Sequence, residues 1–218
     1  MEKVVVAIDG PSGTGKSTSA RILAEKLNYV YIDSGAMYRA ITLELLKNNI
    51  KPNDIKRIVD LTSKSDIKFE GEEVFLNGKN VTKEIRSFDV TSKVSSVSAI
   101  KEVRKILVDK QRAYAKENNI VMDGRDIGTV VFPNAKFKFF LVCDLKTRAA
   151  RRRQDFIEHG MKLPIEKIMA ELKKRDDIDS KRKESPLKKA KDAVELNTTN
   201  MIIEEQVNYL LRIVNGLD

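Results

Sequence analysis

Gly10-Pro11-Ser12-Gly13-Thr14-Gly15-Lys16-Ser17-Thr18 is the stretch from which the fold is read. Ahead of it Val4-Val5-Val6-Ala7-Ile8 is a β-branched apolar run that predicts a buried strand, and behind it Ala20 to Leu27 has the spacing of an amphipathic helix. Strand, glycine-rich loop, lysine and helix in that order make a phosphate-binding loop. The glycines let the backbone curl until several N–H groups point into one hollow, and the helix N-terminus adds about half a positive charge there. A triphosphate fits such a hollow. Lys16 is expected to reach its β- and γ-phosphates, and the Ser17 hydroxyl to sit on a magnesium ion.

With 218 residues the chain can bury one substantial core, which predicts one domain with inserts. No segment approaches the ~20 apolar residues of a membrane span, and Met1-Glu2-Lys3-Val4 lacks a signal peptide's apolar block, so a cytoplasmic protein without membrane contact is expected. The single Cys143 follows the apolar run Phe137 to Val142 and is read as a buried structural thiol; His159 is equally alone, so His and Cys assemble no metal site. A net charge of +9 and a pI near 9.5 call for an anionic partner. Aromatic residues make up only 6%, Trp is absent, and no aromatic-basic alternation would stack bases, so the charge is assigned to a phosphate site and not to nucleic acid.

Further along, Tyr29-Val30-Tyr31-Ile32 predicts a strand, and Asp33 or Ser34 caps a helix from Gly35 to Lys47. Ser34, Tyr38 and Arg39 put a hydroxyl, a phenol and a guanidinium near that helix's exposed N–H groups, which suits a second phosphate. After a helix over Asn53 to Ser63 come three short strand-like pieces, Ile67-Lys68-Phe69, Val74-Phe75-Leu76 and Lys79-Asn80-Val81. They are broken by Glu70-Gly71 and Asn77-Gly78, so an antiparallel insert is predicted. Helical pattern resumes from Ser87 to Lys116 with a break near Ala99.

Asn119 to Asp123 then predicts an apolar strand ending in a carboxylate, suited to holding magnesium through water, followed by a loop over Gly124-Arg125-Asp126-Ile127-Gly128-Thr129. Phe137 to Val142 predicts a buried strand. The helix after it carries Lys146, Arg148, Arg151, Arg152 and Arg153, a cluster that repels itself unless an anion is near. Arg148 and Arg152 share one face and are placed to neutralise charge on a transferred group. Pro164 opens a helix toward Arg182, on which Arg175, Asp179 and Arg182 form one stripe of alternating sign. Ala193 to Leu196 and Ile202 to Val214 predict the last strand and a closing helix.

Four ordered blocks together resemble bacterial cytidylate kinases: Asp9 to Thr18, Asp33 to Arg39, Asp123 to Pro133, and Arg175-Asp176-Asp177. The resemblance covers nearly the whole chain. It implies an α/β, three-layer P-loop NTPase fold with a central parallel sheet, a hairpin insert in the monophosphate-binding region and a helical lid. The core would comprise residues 1–34, 87–144 and 190–218, the monophosphate-binding region 35–86 and the arginine-rich lid 146–182. It also implies transfer of phosphate from ATP to CMP or dCMP with Mg2+, so that the partners are nucleotides; no long apolar edge demands a protein partner, and a monomer is the default expectation. Carried over by motif, Ser34, Tyr38, Arg39 and Arg125 resemble ligands of the CMP phosphate, Ser95, Arg104 and Asp126 its cytosine readers, and Arg175, Asp179 and Arg182 its sugar and phosphate contacts. Lys16, Arg125, Arg148 and Arg152 are the expected catalytic groups, with Ser17 and, through water, Asp123 at the metal. Rival readings are a kinase of another small acceptor such as AMP, UMP or shikimate, an ATP-gated RNA-binding module, and a P-loop protein that binds ATP but transfers nothing.

Overall fold

The computed structural model describes residues 3–158 and 160–217; Met1, Glu2, His159 and Asp218 lie outside them. The described residues form two units, one drawn from 3–31 and from 118 onward and one of 32–117.

In the first unit β1 (Val5–Asp9) is buried throughout, and so is β6 (Ile120–Gly124). Strands buried on both faces need apolar side chains at every position, which explains their continuous runs. Together with β2 (Val30–Asp33), β7 (Phe137–Val142) and β8 (Val194–Asn197) they form a five-stranded sheet of order β2-β6-β1-β7-β8. β1 pairs in parallel with β6 and β7, Val6 lying opposite Val121 and Phe137. The connection out of β1 runs to one side of the sheet, toward β2, and that out of its neighbour β7 to the other, toward β8, so the carboxyl ends of these strands form the switch point at which open sheets bind ligands. Against the sheet, α1 (Lys16–Leu27) and α8 (Ile203–Val214) bury Leu23 and Leu210 among Val6, Ile8, Phe139 and Leu141. A separate apolar cluster of Ala149, Phe156, Ile168 and Leu172 joins α6 (Leu145–Glu158) to α7 (Ile165–Lys181).

The second unit has its own core. α2 (Ser34–Lys47), α3 (Ile55–Lys64), α4 (Phe88–Ser98) and α5 (Lys101–Glu117) enclose Met37, Ile41, Ile58 and Leu107. The predicted insert is an antiparallel sheet of β3 (Ile67–Glu70), β4 (Glu73–Leu76) and β5 (Lys79–Asn80), turned at Asn77-Gly78 with both residues in the left-handed region. Val74 and Leu76 point into the core while Glu73 stays exposed, the alternation of a half-buried strand.

Three local expectations need correction. Residues 124–129 are not simply a loop: β6 continues to Gly124, and Ile127–Val131 forms a five-residue π-type turn. Register explains the extra strand residue, since Gly124 lies opposite Asp9. Cys143 is half-buried because it lies just past the end of β7, with the Arg151 guanidinium 3.6 Å from its sulfur. Pro164 is the N-cap of α7, not its first residue.

Phe139, 1% exposed on β7 between β1 and β8, is expected to cost about 3–5 kcal/mol when replaced by Ala. Leu217→Ala, at a side chain 68% exposed, should change stability by less than about 0.5 kcal/mol. Urea denaturation of the two variants measures both.

Candidate active site

The loop between β1 and α1 takes its shape from close approaches. Gly10 has φ 150, and a Cβ there would overlap the Leu141 carbonyl on β7. At Gly13 (φ 82) a Cβ would lie 3.1 Å from Cβ of Arg148 on α6. Lys16, the first residue of α1, is 6% exposed, and its Nζ donates to the Pro11 carbonyl at 3.2 Å. One residue on, Ser17 Oγ donates to Asp123 Oδ2 at 2.7 Å, while the other Asp123 oxygen accepts from Tyr31 Oη at 2.8 Å. A buried carboxylate thus stands beside the loop serine at the end of β6, held from its far side by a phenol.

The basic cluster on α6 divides its contacts. Arg148 donates to the Ser12 carbonyl at 3.1 Å and pairs with Asp176 of α7 at 2.7 Å. Arg151 donates to the carbonyls of Thr198, Met201 and Thr14 at 2.7, 3.2 and 3.4 Å. Arg152 lies over the Phe156 ring, 4.7 Å from its centre, and 3.6 Å from Asp155. The cluster is tolerable without an external anion because carbonyl dipoles and carboxylates of the chain already face it.

A second group gathers around Asp179. Arg125 Nε donates to Asp179 Oδ2 at 3.0 Å, and Arg182 lies 3.7 Å from both Asp179 and Asp126. Burial opposes ionisation of Asp179, but Arg125, Arg175 and Arg182 outweigh it and hold the carboxyl below its usual range. Asp9, at the end of β1, accepts from the Ile127 and Gly128 amides, each at 2.8 Å.

The unit of residues 32–117 presents its own polar constellation. Asp33 caps α2 by accepting from Ala36 N–H at 2.8 Å and pairs with Arg39 at 2.7 Å. Burial raises the Asp33 carboxyl, yet Arg39 and the Ala36 amide bring it below its usual range. Ser34 and Tyr38 are buried on the same helix, with the Arg104 guanidinium 5.1 Å from the centre of the Tyr38 ring. Arg104 donates to the Ser98 carbonyl at 3.1 Å, and the Ser98 hydroxyl to the carbonyl of Ser95, itself buried.

The sequence model described as "Cytidylate kinase" matches residues 6–216. The chain belongs to the cytidylate kinase family. A cytidylate kinase of Fusobacterium nucleatum subsp. nucleatum is 49% identical over 210 residues, spanning 96% of this chain and 96% of its own. One from Caldanaerobacter subterraneus subsp. tengcongensis is 53% identical over 204 residues, 94% of this chain and 91% of its own. A solved structure of an uncharacterized protein from Eubacterium ventriosum aligns over 98% of this chain and 99% of its own, at a TM-score of 0.54 and 14% identity, a likeness of fold alone. The chain is therefore a kinase, and neither the RNA-binding module nor the non-transferring P-loop protein is favoured.

Of the residues assigned through the family resemblance, the first unit brings together Lys16, Ser17 and Asp123, sets Arg148 on the phosphate loop, and joins Arg125, Asp126, Arg182 and Asp179. The second gathers Ser34, Tyr38, Arg39, Arg104 and Ser95 within its own helices. Residue typing missed Tyr31, Arg151 and the pairing role of Asp176. Arg151 was visible only as one of five adjacent basic side chains, and nothing local distinguishes the one that faces Thr198.

Asp179 tests the electrostatics. Asp179→Asn leaves buried arginines without their counter-charge and is expected to cost roughly 3–5 kcal/mol near neutral pH. The carboxyl ionises below its unfolded value, so its contribution is full above the ordinary carboxylate range and is lost as pH falls through that range and the lower folded value. Urea titrations of both proteins at about pH 7 and about pH 3 should show the gap between them narrowing at the acid end.

Proposed function

We propose that the chain phosphorylates CMP and dCMP from ATP, giving CDP or dCDP and ADP by in-line transfer, as a monomer acting in the cytoplasm on nucleotides and not on nucleic acid. Among the described residues no helix is long and apolar enough to cross a membrane. The observation that carries the reading is the family match over residues 6–216, joined to a phosphate loop whose serine touches a buried carboxylate. In this reading residues 35–86 bind the monophosphate, 146–182 form the lid, and 1–34, 87–144 and 190–218 form the core.

Mg2+ fits the chain's own donors. Ser17 Oγ and Asp123 Oδ2 lie 2.7 Å apart, both hard oxygen donors. Among the described residues there is no cluster of three or more His, Cys, Asp or Glu side chains able to hold a metal, and an ion that draws most of its ligands from phosphates and water needs none. Ser17 would hold the ion directly and Asp123 through water; when bound, it neutralises charge on the phosphates.

No general base is required, because the attacking oxygen belongs to a phosphate whose second pKa is about 6. Catalysis reduces to holding two mutually repelling anions in line and neutralising the charge between them. Residues 10–18 cradle the ATP phosphates, with Lys16 on the β- and γ-groups. Arg125, Arg148 and Arg152 serve the transferred group. Ser34, Tyr38, Arg39 and Arg125 bind the acceptor phosphate, while Arg175, Asp179 and Arg182 hold sugar and phosphate. The cytosine edge offers an N4 donor beside N3 and O2 acceptors, which suits a carboxylate and a cationic donor; the family resemblance assigns these roles to Asp126 and Arg104, with Ser95 as a further reader.

Uracil puts an acceptor where cytosine has its amino group, which would face the Asp126 carboxylate with no proton between them. CMP should therefore be preferred over UMP by roughly 10- to 100-fold in kcat/KM. Rates with each nucleoside monophosphate in turn, with ATP and magnesium, check this; equal use of CMP and UMP overturns the Asp126 assignment. Lys16→Ala should lower kcat by about 100-fold or more while leaving the urea midpoint near that of the parent.

A further inference from the structure

Asp9 has no part in the reaction proposed for the chain. It closes β1 one residue before Gly10 and is 3% exposed. Both of its oxygens are used, each by a different backbone amide: Ile127 N–H donates to Oδ1 and Gly128 N–H to Oδ2, both at 2.8 Å. These are the first two amides of the Ile127–Val131 turn, which has no acceptors upstream to satisfy them. The amides of Val130 and Phe132 already bond within the turn, to the carbonyls of Asp126 and Ile127 at 2.8 and 2.7 Å. The pairing of β6 with β1 ends at Gly124, so the next two residues, Arg125 and Asp126, are tied at one end by the sheet and at the other by Asp9.

We propose that Asp9 is a positioning residue for acceptor recognition: by holding the Ile127 and Gly128 amides in one bidentate grip it fixes the two residues before them, Arg125 and Asp126. The inference rests on the roles proposed above for that pair. A carboxylate is the one side chain of this length that accepts two parallel N–H bonds; an amide of the same shape turns its NH2 toward one of the donors. The choice is costly, because burial pushes the Asp9 carboxyl up to about 7 against the pull of the two amides. Asp126 lies near enough to raise it further and Arg125 to lower it, and a Cβ on Gly128 would meet both the Lys138 side chain, at 3.3 Å, and Asp9 Oδ2, at 3.5 Å.

The competing role for Asp9, given its place next to Gly10, is support of the phosphate loop. Asp9→Asn and Asp9→Glu separate the two, the first losing one acceptor and the second keeping the charge at the wrong length. With ATP saturating, both variants are expected to lower kcat/KM for CMP by roughly 10- to 100-fold and to shrink the preference for CMP over UMP, with KM for ATP unchanged. Equal losses on CMP and UMP together with a raised KM for ATP would overturn the proposal in favour of the phosphate loop. Amide hydrogen exchange of the parent protein gives a readout independent of catalysis and of variant folding: Ile127 and Gly128 should be protected like the sheet amides, and exchange at solvent rates would refute the grip. A parent enzyme that used CMP and UMP equally while keeping both amides protected would count against the Asp126 assignment and leave the grip supported.

Discussion

Backbone amides can face a phosphate only where no side chain stands between them, and this chain meets that condition by packing its loop backbone directly against neighbouring backbone. Gly10 abuts the Leu141 carbonyl and Gly13 abuts Arg148. Both contacts depend on the sheet: Leu141 is in place because β7 pairs with β1, and α6, which carries Arg148, begins at Leu145, shortly after β7 ends at Val142. The parallel sheet therefore acts less as a binding surface than as the ruler that sets distances between loops.

From that ruler the charged groups inherit their geometry. Ser17 and Asp123 meet because α1 starts from β1 and Asp123 stands near the end of β6, its neighbour in the sheet. The acidic partners then manage an excess of positive charge. Asp176 takes Arg148, Asp179 takes Arg125, and Asp33 takes Arg39, each within 3.0 Å. An arginine paired in this way is held in orientation, and a planar guanidinium held in orientation is what bidentate phosphate recognition needs.

Much of the fold was readable because local chemistry wrote it. Buried parallel strands leave unbroken apolar runs, so Val4 to Ile8 located β1 to within a residue at each end, and Phe137 to Val142 coincides with β7. Asn77-Gly78 announced its hairpin because few residue pairs tolerate that turn. The misses arise where a long-range contact or the end of a strand decides the outcome. The stretch after Asp123 read as a loop, yet its turn is capped by Asp9, 118 residues away from Ile127 in sequence. Cys143 read as buried from the run before it, although the sheet ends there. At the site, residue types in short motifs were legible, but pairings such as Arg148 with Asp176 are not, because two residues on different helices carry no mutual spacing signal.

The seat of Arg148 bears on how tightly a nucleotide can be kept. Its guanidinium already has the Ser12 carbonyl and Asp176 as partners, so an incoming phosphate competes with ready-made intramolecular ones and gains only the difference. The same partners stand by to take the cation back when the nucleotide leaves. The lid proposed for residues 146–182 would on this ground trade grip for ease of exchange, since departure of the spent donor would expose no bare charge.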